Sequence, residues 1–213
     1  NVSTNGFKRA NAVFEDLIYQ NLRQVGANST EQNQLPTGLH LGLGVRTVST
    51  TRSFAQGSLQ QSGNTLDVAI NGNGFFQINQ PDGTIGYTRD GSFQVDSQGR
   101  LVTSAGLTVA SGVTIPVNSH SVTISTDGSV TVVLPGNPTP QPAGNIAMAN
   151  FINPAGLEPK GGNLYAETAA SGQPTTGTPS VSGMGVVRQG FVETSNVNVV
   201  QELVTMIQTQ RAY

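Results

Sequence analysis

Residues that could bind a metal ion are few and widely separated in this sequence. The two histidines, His40 and His120, each lie in a polar stretch without a cysteine, histidine or carboxylate at ligand spacing, whereas a zinc site needs three or four such ligands. Asp96 and Asp127 lie in turn sequences, where aspartate is favoured for backbone reasons. Neither begins a calcium loop, which requires several acidic positions and a terminal glutamate. The sequence predicts no metal site and no cofactor.

Residues that could act as nucleophiles or as acid–base pairs form no recognisable pattern either. No Gly-x-Ser-x-Gly elbow stands between a strand and a helix, and the glycines of 42–44 and 72–74 lack the rest of a dinucleotide-binding fingerprint. A cell-wall hydrolase would need two carboxylates that face each other. Carboxylates distant in the sequence could supply such a pair, but nothing in their spacing favours it: Asp67, Asp82, Asp90 and Glu158. We therefore expect no enzymatic activity.

Aromatic residues in the middle of the chain allow a second kind of function. They alternate with turn sequences and could line a carbohydrate-binding platform, which would make the chain an adhesin-like β-module. The residues are Phe75, Phe76, Tyr87 and Phe93. Packing in the core of a β-domain is the favoured interpretation of the same pattern, and the module remains an alternative.

Charge and hydropathy exclude two classes of partner. The ten Lys and Arg residues are scattered, and the formal net charge is −2, so the dense basic stripe that nucleic-acid binding needs is missing. No apolar run approaches the roughly 20 residues that span a bilayer. Only 10% of the residues are charged, against about 25% in a typical protein. Surfaces of this kind can meet copies of themselves without like-charge repulsion.

Short apolar runs separated by turn sequences dominate the middle of the chain. Such short, regularly spaced runs predict an antiparallel β-domain of sandwich or barrel type. The predicted strands cover residues 67–70, 75–79, 85–89, 92–95, 101–103, 122–124, 130–133, 145–150 and 163–167. Proline cannot donate to a strand ladder, so the four prolines of 135–142 predict a loop, as does the Ser/Thr/Gly/Pro-rich stretch 169–185.

The two ends of the chain follow a different pattern. Apolar spacings of three and four predict a helix over 11–25, ended by Gly26, and the polar stretch 27–44 is expected to be a long loop. Residues 199–213 have the same helical period, and Asn198 is suited to cap that helix. The chain opens inside a polar stretch and closes within a helical pattern, so we expect the natural protein to continue on both sides.

Several motifs, in a fixed order, cover nearly the whole chain. They are Asn1-Val2-Ser3-Thr4-Asn5-Gly6-Phe7-Lys8, Gln56-Gly57-Ser58-Leu59, residues 67–76, Tyr87-Thr88-Arg89-Asp90-Gly91-Ser92-Phe93, residues 99–103, 193–203 and 206–213. Together they resemble the bacterial flagellar axial proteins, which are the rod, hook and hook-associated subunits. Within that family, residues 19–44 resemble the stretch that distinguishes distal-rod from hook members, and the chain is too short for the hook's outer domains.

The resemblance implies a structural subunit of the basal body that polymerises into the distal rod, the drive shaft that transmits torque to the hook. A proximal-rod or hook subunit is the alternative within the family. Implied partners are copies of the chain, adjacent rod and hook subunits, the surrounding ring proteins and the type III export apparatus. The implied location is the periplasmic rod, directed toward the outer membrane. A chain lacking most of its terminal helices is expected to polymerise poorly.

The resemblance also implies a division of the chain, with the N- and C-terminal segments paired. Residues 1–66 are a connecting segment that includes the rod-specific stretch 19–44, residues 67–190 the central β-domain, and residues 191–213 the start of an inner-tube helix. The implied subunit-interface residues are Asn5, Gly6, Phe7, Tyr19, Leu22, Arg23, Leu35, Pro36, Asn196, Asn198, Val200, Leu203 and Ile207.

Overall fold

The structure is a computed structural model of the 213-residue chain, and it describes residues 2–16, 19–21, 28–30, 33–34, 40–42 and 45–211. The chain divides into two compact units. Unit 1 consists of residues 1–9 and 54–213, and unit 2 of residues 10–53. Unit 2 is therefore an insertion in the sequence of unit 1. The expected mainly β, antiparallel fold is confirmed, and within the described residues no sheet closes into a barrel.

Unit 1 contains most of the strands, a 3-10 turn over Pro154–Gly156 and the helix α1 (Val199–Arg211). Its strands, numbered along the whole chain, are β7 (Leu59–Gln61), β8 (Val68–Asn71), β9 (Phe75–Asn79), β10 (Ile85–Thr88), β11 (Gln94–Val95), β12 (Leu101–Val102), β13 (Ser121–Ile124), β14 (Ser129–Leu134), β15 (Asn137–Asn145), β16 (Met148–Asn150), β17 (Glu158–Gly161), β18 (Leu164–Ala166), β19 (Thr175–Gly177), β20 (Val186–Gln189) and β21 (Phe191–Glu193).

Two sheets and three strand pairs form the architecture of unit 1. The larger sheet has the order β17-β18-β10-β9-β16-β19, the smaller has the order β13-β14-β15, and the pairs are β11-β12, β8-β20 and β7-β21. All of these pairings are antiparallel. The last two pairs bring the C-terminal part of the chain back onto strands that lie more than a hundred residues earlier. The fold therefore cannot be completed until residues 186–193 are in place.

Two groups of buried side chains hold unit 1 together. The larger group is aliphatic with two phenylalanines, Phe76 and Phe93, whose rings meet edge to face at 5.0 Å between centroids. The smaller group is aromatic and is built around Phe75, Tyr87 and Phe151. Side chains of successive strand residues point to opposite faces, and consecutive Phe75 and Phe76 accordingly enter different groups. The aromatics that could have formed a binding platform are thus buried in the core.

The described part of unit 2 contains six strands, and their pairing is nested. They are β1 (Ala10–Asp16), β2 (Tyr19–Asn21), β3 (Asn28–Thr30), β4 (Asn33–Gln34), β5 (His40–Gly42) and β6 (Val45–Arg52). Strand β1 pairs antiparallel with β6, β2 with β5, and β3 with β4. This register is that of a two-stranded ribbon running out and back.

The helix predicted for residues 11–25 is wrong where the structure describes this segment, because Ala10–Asp16 and Tyr19–Asn21 are strands. The apolar spacing fits a helix, but the segment pairs with Val45–Arg52, in which five of eight residues are Val or Thr. Branched side chains of this kind favour strands. The loop expected over 27–44 is also wrong in part, because β3, β4 and β5 lie within it.

The loop predicted over 135–142 is a second error, because Asn137–Asn145 forms β15 at the edge of the smaller sheet. Proline is tolerated in an edge strand, where alternate N–H groups face away from the neighbouring strand. Prolines 138, 140 and 142 follow this alternation. An edge without these donors is poorly suited to pairing with another strand. The stretch 169–185 is a loop apart from the three-residue strand β19.

The other strand predictions are confirmed to within a few residues, and Phe75–Asn79 agrees at both ends. The C-terminal helix is also confirmed over Val199–Arg211. Its cap is the predicted one, since the Asn198 side-chain oxygen accepts from the backbone N–H of Val200 at 3.0 Å.

Gly91 is a position where the fold admits no side chain, and it gives a test of this packing. An added Cβ would lie 1.6 Å from the Val68 carbonyl oxygen, which is backbone and cannot move aside cheaply. We expect Gly91→Ala to lower the free energy of unfolding by about 1–3 kcal/mol or more, measured by urea denaturation. Gly177→Ala is the control, because its Cβ would meet only the mobile end of Met184. Equal stabilities of the two variants would contradict the described packing.

Candidate functional site

The N-terminal segment (residues 2–9) carries three of the predicted interface residues, and it is bound to the β-domain. The Asn5 side chain donates to Ser92 Oγ at 3.2 Å, and its backbone oxygen accepts from Asn163 at 3.1 Å. Gly6 has φ +66°, and a Cβ there would lie 2.7 Å from the Asp90 nitrogen. Only glycine fits at this turn. The carbonyl of Phe7 accepts from the Asn196 backbone at 3.4 Å.

A buried group of three charged residues lies next to this turn and is called the charge cluster. Glu193 accepts from Lys8 Nζ through Oε1 at 2.5 Å and from Arg89 Nε through Oε2 at 2.8 Å. The exposed fraction of all three residues is 4% or less. Lys8 comes from the N-terminal segment, Arg89 from the residue after β10, and Glu193 from the end of β21. The cluster thus joins three parts of the chain far apart in sequence.

Backbone groups complete the coordination of the charge cluster. The Arg89 guanidinium donates to the carbonyl oxygens of Gly72 at 2.8 Å, Gly74 at 2.7 Å and Ile70 at 3.2 Å, which fixes the turn between β8 and β9. Lys8 Nζ donates to the Ala55 carbonyl at 2.8 Å. The N–H of Gly57 donates to Glu193 Oε1 at 2.8 Å. Buried charges require this kind of satisfaction by hydrogen bonds.

The charge balance of the cluster is unequal, because one carboxylate faces two cations. Burial lowers the pKa of the Lys8 ammonium below its ordinary value; the nearby Glu193 carboxylate raises it in part, and the Arg89 guanidinium lowers it further. Burial therefore disfavours the charge of Lys8 in the folded state. Glu193 is the member on which both cations depend.

The C-terminal segment (residues 191–198) connects the charge cluster to α1. The Asn196 side chain accepts from the Arg9 N–H at 2.8 Å and donates to the Ala55 carbonyl at 3.0 Å. The Arg9 guanidinium forms an ion pair with Glu202 in the first turn of α1, at 2.8 Å. This pair is partly exposed, and such pairs contribute about 0–1 kcal/mol. It connects the N-terminal segment directly with α1.

The helix α1 presents an apolar stripe to solvent. The predicted interface residues Val200, Leu203 and Ile207 follow one another at spacings of three and four, and their exposed fractions are 68%, 52% and 50%. Val199, Val204 and Met206 extend the stripe and are also about half exposed. Contiguous exposed apolar surface on a soluble protein marks a site of interaction. The stripe is therefore the candidate docking surface of unit 1.

The remaining predicted interface residues belong to unit 2. Tyr19 lies in β2, where it pairs with Gly42. Leu22, Arg23, Leu35 and Pro36 lie outside the described residues. Unit 2 is described at the level of its backbone pairing, and these five residues keep their predicted role as a proposal.

The charged residues of the charge cluster are the ones that reasoning from the sequence missed. Lys8 and Arg89 each lie in a motif made otherwise of turn-forming and apolar residues, which marks each as unusual, but no local pattern shows that either one meets Glu193. Arg9 and Glu202, which connect the N-terminal segment with α1, carry no comparable signal. A surface ion pair looks the same in a sequence as any two exposed charges.

Several carboxylates of unit 1 that could act in catalysis are bonded within their own turns or strands. The carboxylates of Asp82, Asp96 and Asp127 accept hydrogen bonds from the turns that contain them, and these bonds lower their pKa values. Glu158 pairs with Lys160. Among the described residues, no three His, Cys, Asp or Glu side chains are grouped to hold a metal ion. Nor does any helix within the described ranges have the length and apolarity to cross a bilayer.

A cavity of about 370 Å³ borders the charge cluster. Its lining includes Phe54, Gln56, Phe75, Arg89, Asn150 and Phe151. The guanidinium of Arg89 already donates to three carbonyl oxygens and to Glu193, so it has little capacity left for a ligand. Gln56 likewise accepts from the Gly72 N–H at 2.9 Å. The polar side chains that line this cavity hold the turn between β8 and β9 and are not arranged to bind a substrate.

The unequal charge balance predicts unequal effects of substitution. Glu193→Gln leaves two buried cations without a countercharge and should lower the free energy of unfolding by about 3–5 kcal/mol. Lys8→Met leaves the Arg89–Glu193 pair intact and should cost less. Thermal and urea denaturation measure both, with exposed Lys160→Met as a control expected to change stability by about 1 kcal/mol or less. A larger loss for Lys8→Met than for Glu193→Gln would contradict this assignment.

Comparison with known proteins identifies the family. A family model described as the flagellar hook protein FlgE/F/G D1 domain matches residues 69–132, and one described as the flagellar basal body rod FlgEFG protein C-terminal matches residues 188–213. The second match spans Glu193, Asn196 and α1. The first contains Arg89 and the strands β9 and β10. Both matched regions therefore contribute to the charge cluster.

Relatives with known names cover the whole chain. The flagellar basal-body rod protein FlgG of Buchnera aphidicola subsp. Acyrthosiphon pisum (strain APS) is 56% identical over 213 residues, which is 100% of this chain and 82% of the relative. FlgG of Borreliella burgdorferi is 47% identical over 215 residues, with 100% and 81% covered. The rod protein FlgF of Caulobacter vibrioides is 33% identical over 221 residues, with 100% and 79% covered. The chain therefore belongs to the family of flagellar basal-body rod proteins.

Proposed function

We propose that this chain is a non-enzymatic subunit that polymerises with copies of itself into the distal rod of the flagellar basal body. The proposal rests on one observation above all, the exposed apolar stripe on a helix whose base is held by hydrogen bonds and ion pairs. The FlgG relatives cited above, which are distal-rod proteins, are more similar to the chain than the FlgF relative, which supports the distal position. In that position the polymer transmits torque to the hook.

A helix of this kind gains by packing against copies of itself. Alone, α1 has 13 residues, and isolated helices of about 12–15 residues are marginal in water. Burying its stripe against neighbouring helices would stabilise it by about 25 cal/mol for each Å² of apolar surface removed from water. Spacings of three and four residues suit the knobs-into-holes packing of helices. We assign Val200, Leu203 and Ile207 to this contact.

The remaining surface of unit 1 is suited to a subunit that associates in one specific way. The prolines of β15 remove backbone donors from an exposed sheet edge, which disfavours edge-to-edge pairing of β-domains. Few charges of either sign reduce repulsion between identical copies. Both features leave the helix as the preferred contact. The proposed layers are residues 191–213 inside and residues 67–190 outside, with 1–66 connecting them.

The nested ribbon of unit 2 supports a separate contact for residues 19–44. A two-stranded hairpin is marginally stable on its own, and the described strands of unit 2 pair two by two. Packing against a neighbouring subunit would stabilise the ribbon and hold the neighbour in place. We assign Tyr19, Leu22, Arg23, Leu35 and Pro36 to this contact, which would stiffen the rod.

Further partners follow from a place in the distal rod. Subunits of the proximal rod and of the hook would meet its two ends, ring proteins would surround it in the periplasm, and the flagellar export apparatus would deliver the chain. The low charge of the surface would let the rod turn inside a ring without strong electrostatic adhesion. No step of this function needs a reacting group, a metal or a cofactor.

Substitution on the apolar stripe tests the helix contact. We expect the unmodified chain to associate weakly, so that its average mass in sedimentation experiments rises only at high concentration. The double variant Leu203→Asp/Ile207→Asp should stay monomeric, because burying unpaired carboxylates costs several kcal/mol and weakens the association by about tenfold or more.

The control for this experiment is Gln201→Asp/Gln208→Asp, which adds the same charge to α1 at exposed positions off the stripe. It should associate like the unmodified chain. If both double variants associate equally, or if the unmodified chain is monomeric at every concentration, the helix contact is not the one that drives assembly.

Deletion of residues 19–44 tests the second contact. Subunits lacking this stretch should still form rods, since the stripe of α1 is retained, but these rods should be less straight and stiff. Electron microscopy of the assembled rods measures their curvature. Rods as straight as those of the intact protein would show that residues 19–44 do not stiffen the polymer.

A further inference from the structure

Residues 2–9 and 191–198 are held to the β-domain by bonds of different kinds. From this difference we infer that the N-terminal segment docks last, onto a C-terminal segment already in place, and that its docking fixes the direction of α1. The inference deepens the proposed function and rests on it only for the use of α1 in assembly. The order of docking stands on the contacts within unit 1.

The C-terminal segment is anchored without help from the N-terminal segment. Strand β21 pairs with β7 over Phe191–Glu193. The Thr194 N–H donates to the Ser58 carbonyl at 2.9 Å, and its side chain donates to the same oxygen at 3.1 Å. Glu193 receives hydrogen bonds from Arg89 and Gly57. All of these partners belong to residues 57–89, so they are available before residues 2–9 arrive.

The N-terminal segment, in contrast, is held largely by the C-terminal segment. The Gly6 N–H donates to the Glu193 carbonyl at 2.7 Å, and the Arg9 N–H donates to the Asn196 side chain at 2.8 Å. The Lys8 ammonium pairs with the Glu193 carboxylate. Without residues 191–198, three of the principal acceptors of this segment would be missing.

The charges impose the same order. When the N-terminal segment is absent, Arg89 and Glu193 form a neutral pair that remains bonded to the β-domain. When the C-terminal segment is absent, docking of the N-terminal segment would bring Lys8 beside Arg89 with no carboxylate between them. Two buried cations without a countercharge are strongly unfavourable. Docking of residues 191–198 first avoids this state.

The N-terminal segment in turn controls α1. The helix begins at Val199, three residues after Asn196, and the Arg9 backbone and side chain bond to Asn196 and Glu202 respectively. Release of residues 2–9 would remove both of these bonds from the start of α1. Arg9 and Glu202 are therefore positioning residues: they set where the apolar stripe points.

Hydrogen exchange at single amides, followed by NMR spectroscopy on the dilute full chain, tests the order of docking. The amides of Gly6 and Arg9 report on the N-terminal segment. The Thr194 amide reports on the C-terminal segment, because its acceptor is Ser58. In the unmodified chain we expect Gly6 and Arg9 to exchange faster than Thr194. Equal rates, or faster exchange at Thr194, would overturn the proposed order of docking. This measurement requires only the unmodified chain.

Two substitutions distinguish the docking of the N-terminal segment from that of the C-terminal segment. Gly6→Ala places a Cβ 2.7 Å from the Asp90 nitrogen and should release residues 2–9. The Arg9 amide should then exchange about tenfold faster, as expected for the loss of one or two hydrogen bonds. The exchange rate of the Thr194 amide should not change. Glu193→Gln should accelerate both. Gly63→Ala is the control, since Gly63 also has positive φ but no neighbour within 4 Å. Faster exchange at Thr194 in Gly6→Ala would overturn the inference.

The direction of α1 is measured separately from assembly. The chain has no cysteine, so spin labels at Thr123→Cys and Gln208→Cys, both exposed, report one distance in the dilute monomer. We expect a single narrow distance peak that broadens in Arg9→Met, which loses the ion pair with Glu202 but keeps the backbone bond to Asn196, and that stays narrow in the exposed control Arg188→Met. A narrow peak in Arg9→Met would overturn the positioning role. Failure of self-association in the sedimentation experiment leaves this readout unaffected, so the two proposals fail independently.

Discussion

The Glu193 carboxylate lies between two buried cations, and the arrangement of the chain ends depends on it. One oxygen accepts from Lys8 near the start of the chain and the other from Arg89 in the middle. Removing a charged group from water carries a large cost that only close partners offset. A chain with so few charges has concentrated three of them at one buried point. The result is a fixed junction in which Glu193 holds one residue that is 185 positions away, Lys8, and another that is 104 positions away, Arg89.

Placing the junction at the base of α1 connects stability with function. Asn198 caps the helix. Asn196, just before the helix, and Glu202, in its first turn, both bind Arg9. The helix contributes little to the core, since its apolar residues face solvent. A fold that holds a helix firmly at one end and leaves its apolar stripe uncovered is suited to assembly. Membership in the family of flagellar basal-body rod proteins is consistent with a helix that serves assembly.

Much of unit 1 could be predicted from the sequence, because its strands are short apolar runs between glycine- and aspartate-rich turns. Phe75–Asn79 and the cap at Asn198 are examples in which local chemistry decides the structure. The wrong predictions concern segments whose secondary structure is decided by partners distant in the sequence. Residues 11–16 have helical spacing but pair with residues 45–52, and residues 137–145 accept prolines because they form a sheet edge. The charge cluster was missed for the same reason, since no local pattern shows that Lys8 meets Glu193.

In the proposed function, the junction at Glu193 presents the stripe of α1 to other copies of the chain. A single cysteine at Ile207, in a chain that otherwise has none, allows covalent capture of such contacts with a short bifunctional maleimide. We predict a band of linked dimers from Ile207→Cys and none from Thr123→Cys on the exposed face of β13. Dimers in equal yield from both positions, or none from Ile207→Cys, would contradict this assignment.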